Sequence, residues 1–214
     1  SGGSGADLLI GGAGNDTLSG GAGRDLARYL DAASAVVVDL AAGAAQDGDG
    51  GTDSLTDIEG AHGSAYNDTL RGNAGANELS GFAGHDLIQG SLGNNTMQGG
   101  AGNDNIQGGA NNDEIWGGDG ADTLAGGDGT DLIRYRDDAA SVTVNLISGP
   151  STDGGGDLDT LSSIENAHGS DHSDRLTGNV VANELSGFAG NDSLTGNAGN
   201  DTLLGGAGND TLLG

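Results

Sequence analysis

Gly11-Gly12-Ala13-Gly14-Asn15-Asp16-Thr17-Leu18-Ser19 runs directly into Gly20-Gly21-Ala22-Gly23-Arg24-Asp25-Leu26-Ala27-Arg28. The same nine-residue pattern fills residues 2–28 (three units), 63–134 (eight) and 169–213 (five), sixteen units in all. A fixed short period of this kind means that each unit buries its apolar face on its neighbours. Position 8 is Leu, Ile or Met in fifteen units, with Ala27 the exception. Position 6 is Asp in thirteen: Asp7, Asp16, Asp25, Asp68, Asp86, Asp104, Asp113, Asp122, Asp131, Asp174, Asp192, Asp201 and Asp210. It is Asn in the other three, Asn77, Asn95 and Asn183, and positions 1, 2 and 4 are mostly Gly.

Glycine reaches backbone angles that turn the chain tightly and set several carbonyls on one side. The three residues after each turn suit a short strand whose middle side chain, position 8, points inward. Two such halves make an eighteen-residue coil. Stacked coils then give two parallel sheets with the aliphatic side chains between them, an all-β parallel roll. One turn supplies a carboxylate and a few carbonyls, too few for the six to eight oxygens that calcium takes. Two stacked turns double the supply, so the expected ions lie between coils.

The two segments without the period, 29–62 and 135–168, are copies of each other. Aligned at an offset of 106, sixteen of their 34 positions match, among them Tyr29/Tyr135, Val36/Val142, Val38/Val144, Asp53/Asp159, Ile58/Ile164, Glu59/Glu165 and His62/His168. Each has a Tyr-led stretch with alternating valines, a degenerate turn (48–56 and 154–162), and a Gly-Ser re-entry at Gly63-Ser64 and Gly169-Ser170. The expected organisation is one continuous roll over 1–214, with nonapeptides at 2–28, 63–134 and 169–213 and these duplicated insertions between them.

Composition narrows the function. Glycine makes up 46 of 214 residues, and 32 acids stand against 6 bases for a net charge of −26. Such a chain repels itself until cations arrive. It makes nucleic acid an unsuitable partner, since phosphate contacts need Lys and Arg. There is no Cys, hence no disulfide and no thiolate metal site. No apolar run reaches the length of a membrane span. Ser1 and Gly214 both fall inside repeat units, so the chain reads as part of a longer covalent chain.

With these residues in view, the sequence resembles the RTX, or haemolysin-type, calcium-binding family. The handful of motif positions quoted above is that family's nonapeptide signature. The resemblance implies Ca²⁺ as the bound ion, a parallel β-roll, type I secretion and folding only outside the cell, hence a secreted or cell-surface location. It implies metal ligands at the position-6 aspartates, at Asp53 and Asp159 of the degenerate turns, and at carbonyls of the turn glycines. These are Gly12, Gly14, Gly21, Gly23, Gly100, Gly102, Gly109, Gly118, Gly120, Gly127, Gly129, Gly199, Gly206 and Gly208. A second reading is a binding module for extracellular polysaccharide, or an adhesin or surface-layer repeat, similar to the repeat modules of mannuronan epimerases.

Other motifs weigh less. Asp47 to Asp53 resembles the start of an EF-hand loop, but Thr52 stands where glycine is required and Ile58 where the bidentate Glu belongs. The four histidines lack zinc spacing, and Asn-Asp-Thr sequons are a by-product of the repeat. Trp116 sits at position 9, expected to point outward. No nucleophile elbow, phosphate loop or Cys–His pair is present, so no catalytic residues are expected. Asn77 and Asn95 fall on the same side in adjacent coils, and a site between the turns beginning at Gly72 and Gly90 should be the weakest.

Overall fold

The structure, a computed structural model, describes residues 1–147 and 150–214. Short strands follow almost every turn, and they assemble into a two-sheet parallel β-roll without helix among the described residues. Successive units alternate between the sheets. Ten strands, from Leu8–Leu9 to Thr202–Leu204, build one sheet, and fourteen build the other. In the uniform middle the register is eighteen: Leu70 lies beside Ile88, Ile88 beside Ile106, and Leu79 beside Met97.

This register stacks position 8 on position 8. Leu70, Leu79, Ile88, Met97, Ile106, Ile115, Leu124 and Ile133 are all fully buried, one per half-coil. Their flanking residues face out, so the core is a ladder one side chain deep. Ala27 occupies its place in the ladder too, beside Ala61 of the first insertion, as Ile133 stands beside Ala167 of the second. At the C-terminal end the ladder is open: Leu212 is 48% exposed.

The insertions do not interrupt the roll. Strand Leu26–Arg28 pairs directly with Gly60–His62, and Gly60–His62 with Glu78–Ala83, so the ten-stranded sheet passes through unaltered. In the other sheet the insertion replaces one strand with a meander of three: Val37–Asp39, Ala44–Gln46 and Thr52–Thr56. The middle strand is antiparallel to both neighbours, while the outer two stay parallel to the coils they face. An odd number of strands preserves chain direction, which is why the roll resumes in phase. The second copy repeats the device with Thr143–Asn145, Pro150–Thr152 and Leu158–Ser162. The purely parallel sheet expected from the repeats therefore holds on one face only. Two extra strands per insertion widen one sheet by about 10 Å relative to the other, at the usual strand spacing.

Candidate metal centre

Position 6 is built the same way along both edges of the roll. Where nonapeptide coils stack directly, the backbone N–H of a position-6 residue donates to Oδ1 of the position-6 side chain one coil further on. Asp68 donates to Asp86, Asp86 to Asp104 and Asp104 to Asp122, at 2.7–2.8 Å. On the opposite edge Asn95 donates to Asp113 and Asp113 to Asp131, both at 2.8 Å. Asp7 donates to Asp25, Asp174 to Asp192, Asn183 to Asp201 and Asp192 to Asp210. One carboxylate oxygen is thereby fixed and the other is left over. Oδ2 is buried without any partner in Asp7, Asp16, Asp25, Asp86, Asp104, Asp113, Asp122, Asp131 and Asp192. A buried carboxylate oxygen with nothing to accept from costs several kcal/mol relative to water (on the order of 1–3 even for a neutral group).

The glycines explain the rest of the cradle. A Cβ on position 1, as at Gly99 or Gly117, would run into the carboxylate of its own Asp104 or Asp122, which folds back over the turn. Positions 2 and 4 have positive φ: Gly118 at 102° and Gly120 at 121°, Gly127 at 112° and Gly129 at 152°. The same left-handed angles occur at Gly12, Gly14, Gly21, Gly23, Gly100, Gly102, Gly109, Gly199, Gly206 and Gly208, every glycine singled out from the sequence. A Cβ at Gly118 would meet the carbonyl of Gly100, and one at Gly120 the carbonyl of Gly102. Carbonyls of one turn therefore aim along the roll axis at the next turn.

Burial raises these acids. It lifts Asp122 to about 8, helped by the charges of Asp159, Asp104 and Asp153. Asp86 rises to about 7 and Asp104, Asp131 and Asp159 to about 6, burial leading in each case. Asp113 and Asp192 move in the same direction for the same first reason.

Four expected ligands sit in a different environment. Asp53 accepts from the Asp16 N–H with Oδ1 and from the Tyr29 hydroxyl with Oδ2. Asp159 does the same with Asp122 and Tyr135, the hydroxyl at 2.8 Å. Asp68 and Asp174 are capped by their re-entry serines, Ser64 and Ser170, through both backbone N–H and hydroxyl. All four carboxylates beside the insertions are satisfied within the protein.

The asparagine turns satisfy themselves as well. Asn95 Nδ2 donates to the carbonyls of Leu92 and Gly93 in its own turn, at 3.3 and 3.1 Å, and to Asp113 Oδ1. Its amide nitrogen faces the carbonyls that a cation would otherwise face. Asn77 Nδ2 reaches the Glu59 carbonyl and the side chain of Asn73; Asn183 reaches Glu165 and Asn179 identically.

Two features escaped the sequence reading. Glu59 and Glu165 are the position-6 residues of the insertion coils: Oε2 of each accepts the N–H of Asp25 and Asp131 at 2.9 Å. Their identity in both copies was the available signal. The second feature is position 5, where a counter-ladder runs the other way. Asn67 accepts from His85 N–H, His85 Nδ1 from Asn103, and Asn103 from Ala121. The recurrent Asn dismissed as a sequon by-product is a coil-to-coil fastener, and His85 is engaged there through Nδ1.

Among the described residues no three of His, Asp and Glu converge. Any ion between turns must take most of its oxygens from carbonyls, with one or two carboxylates added. Nine orphaned oxygens among the described residues, in turns whose carbonyls face the next coil where coils stack, fit a hard cation of high coordination number such as calcium. They do not fit zinc, which selects nitrogen and sulfur in a tetrahedron. Among the described residues no helix is long and apolar enough to cross a membrane. No curated protein matches the chain. A family model, the RTX calcium-binding nonapeptide repeat (4 copies), matches residues 1–27, 62–97, 98–133, 168–203 and 186–214, everything but the two insertions. The chain belongs to the RTX calcium-binding nonapeptide-repeat family.

Proposed function

We propose that this chain is the calcium-triggered folding module of a secreted bacterial protein, and that Ca²⁺ between stacked turns is what makes the roll stable. The ligands are the position-6 aspartates with free Oδ2 and the turn carbonyls beside them. One observation carries the reading: among the described residues nine buried carboxylate oxygens lack any partner. Ligands that bind only the folded state add their binding free energy to stability. With a net charge of −26, the chain should stay unfolded and threadable where calcium is scarce, and close into a roll where it is plentiful. That logic suits export before folding. Far-ultraviolet circular dichroism in calcium and in EGTA at neutral pH tests it. The β signal should appear only with calcium; a full β signal in EGTA would defeat the proposal.

A second reading, a module that holds extracellular polysaccharide, is favoured by a groove on the outer face of the ten-stranded sheet. The groove is lined by His62, Glu78, Phe82, Gln98, Trp116 and Asp137. In this reading the calcium-loaded roll is a rigid scaffold and the groove is its binding surface.

A further inference from the structure

Position 2 has positive φ in most turns, and in two such units it carries phenylalanine: Phe82 at 78° and Phe188 at 67°. A bulky residue at such an angle is an outlier, and strain of this kind concentrates where a side chain is needed in a particular place. Both rings lie edge-on to a histidine, Phe82 on His62 and Phe188 on His168, with centroids 5.0 and 5.2 Å apart. The two then diverge. Arg136 covers the face of Phe188 at 4.1 Å. The equivalent residue in the first copy is Leu30, which carries no charge, and Phe82 instead lines the groove.

Trp116 stands across that groove. Ser80, Gln98 and Trp116 are side by side on three adjacent strands, and Phe82 lies two residues beyond Ser80, so the backbones that carry the two aromatic side chains are about 12 Å apart, two strand spacings across and two residues along. Exposed Gln98 lies between them, and Glu78 and Asp137 lie at the margins. The neighbouring arginines each have an acidic partner: Arg24 with Glu78, Arg28, beside His62 on the adjoining strand, with exposed Asp31, and Arg134 with Glu114, its guanidinium 5.2 Å from the Trp116 ring. Asp137 adds a carboxylate at the groove, which disfavours an anionic ligand.

Aromatic faces combined with side-chain hydrogen-bonding groups suit a ligand that is apolar on one face and hydroxylated at its edge. We propose that the groove binds a neutral glycan chain, with sugar rings on Phe82 and Trp116 and hydroxyls at Gln98, Glu78 and Asp137. This rests on the polysaccharide reading and names its ligand class; it predicts against acidic glycans.

Trp116 is the only tryptophan, so its fluorescence reports the site directly. The calcium-loaded full chain would be titrated with cellohexaose, chitohexaose and hexamannuronate. A saturable emission change is expected with at least one neutral hexasaccharide, and a much weaker one with hexamannuronate. Phe82→Gly restores the residue the turn prefers, so it should keep its calcium-induced β signal while losing roughly tenfold or more in affinity. Three results would overturn the proposal: no saturable change with either neutral sugar, tightest binding by hexamannuronate, or unchanged affinity in Phe82→Gly. Hexamannuronate alone binding would leave the broader polysaccharide reading standing; no binding by any of the three would remove both.

Discussion

The backbone N–H of Asp104 donates to Asp122 Oδ1 at 2.8 Å, and the other oxygen of that carboxylate is buried with no partner. One side chain is therefore half structural and half free. Asp122→Asn should keep the first role, since an amide oxygen accepts the same N–H, and Asn95 shows that the amide nitrogen can bond turn carbonyls. The variant should lose the second role. Its calcium midpoint in a dichroism titration should rise roughly three- to tenfold, about 0.7–1.4 kcal/mol, with no loss of metal-free stability. Asp68→Asn should behave oppositely: it disturbs the Ser64 cap and should weaken the fold with little change in calcium stoichiometry.

The reverse change is equally informative. Asn95→Asp removes the amide donors that reach Leu92 and Gly93 and adds a charged oxygen beside Asp113. Calcium affinity depends on ligand charge. Isothermal titration calorimetry should show about one additional ion per chain, and the metal-free protein should be less stable than the parent. Unchanged stoichiometry would mean that the amide turn already holds an ion.

The repeat made most of this legible. Period nine with an aliphatic at position 8 led to the two-sheet roll, and the buried Leu70–Ile133 ladder is its realisation. Thirteen aspartates in phase led to the rows at the edges. What escaped depended on contacts between residues far apart in sequence. Tyr135 and Asp159 are 24 residues apart, and only the meander brings the hydroxyl onto Oδ2. Glu165 reaches Asp131 from 34 residues away because the insertion coil is longer than eighteen. The cap on Asp68 was in reach of the sequence, since Ser64 stands four residues before it in the same nonapeptide where Asp86 has Phe82 and keeps a free oxygen.

Acid should partly replace calcium. The folded-state values of about 8 for Asp122, 7 for Asp86 and 6 for Asp104 and Asp131 lie above the ordinary value near 3.9. A group raised by folding stabilises the fold fully below its unfolded value and ceases to do so as pH climbs through the folded one. Metal-free roll should therefore be most stable near pH 4 and lose that stability progressively as pH rises, the loss being complete by about pH 8. Dichroism of chelator-treated, dialysed protein across pH 4–8 checks this. A β signal that grows with rising pH would contradict it. Calcium affinity should run the other way and strengthen over the same window, because binding displaces the protons.

The insertions should be held by their tyrosines regardless of calcium. Tyr135→Phe leaves Asp159 Oδ2 buried without its 2.8 Å donor. The loss should be about 1–3 kcal/mol, equal in saturating calcium to the loss for Tyr29→Phe within the spread of such values. Thermal or denaturant unfolding of the calcium-loaded variants measures it. A loss that disappears at high calcium would show that an ion replaces the hydroxyl.

The most direct test of calcium as the partner of the orphaned oxygens is an anomalous-scattering map from calcium-grown crystals. Peaks should lie between stacked turns beside Asp86, Asp104, Asp122, Asp113 and Asp131, and be absent or weakest between the turns that begin at Gly72 and Gly90, where Asn77 and Asn95 close their own turns. Across the chain on the order of ten ions is expected, given that each needs oxygens from two turns. A fully occupied ion between the Gly72 and Gly90 turns, or Asp rows with no ion beside Oδ2, would contradict the account.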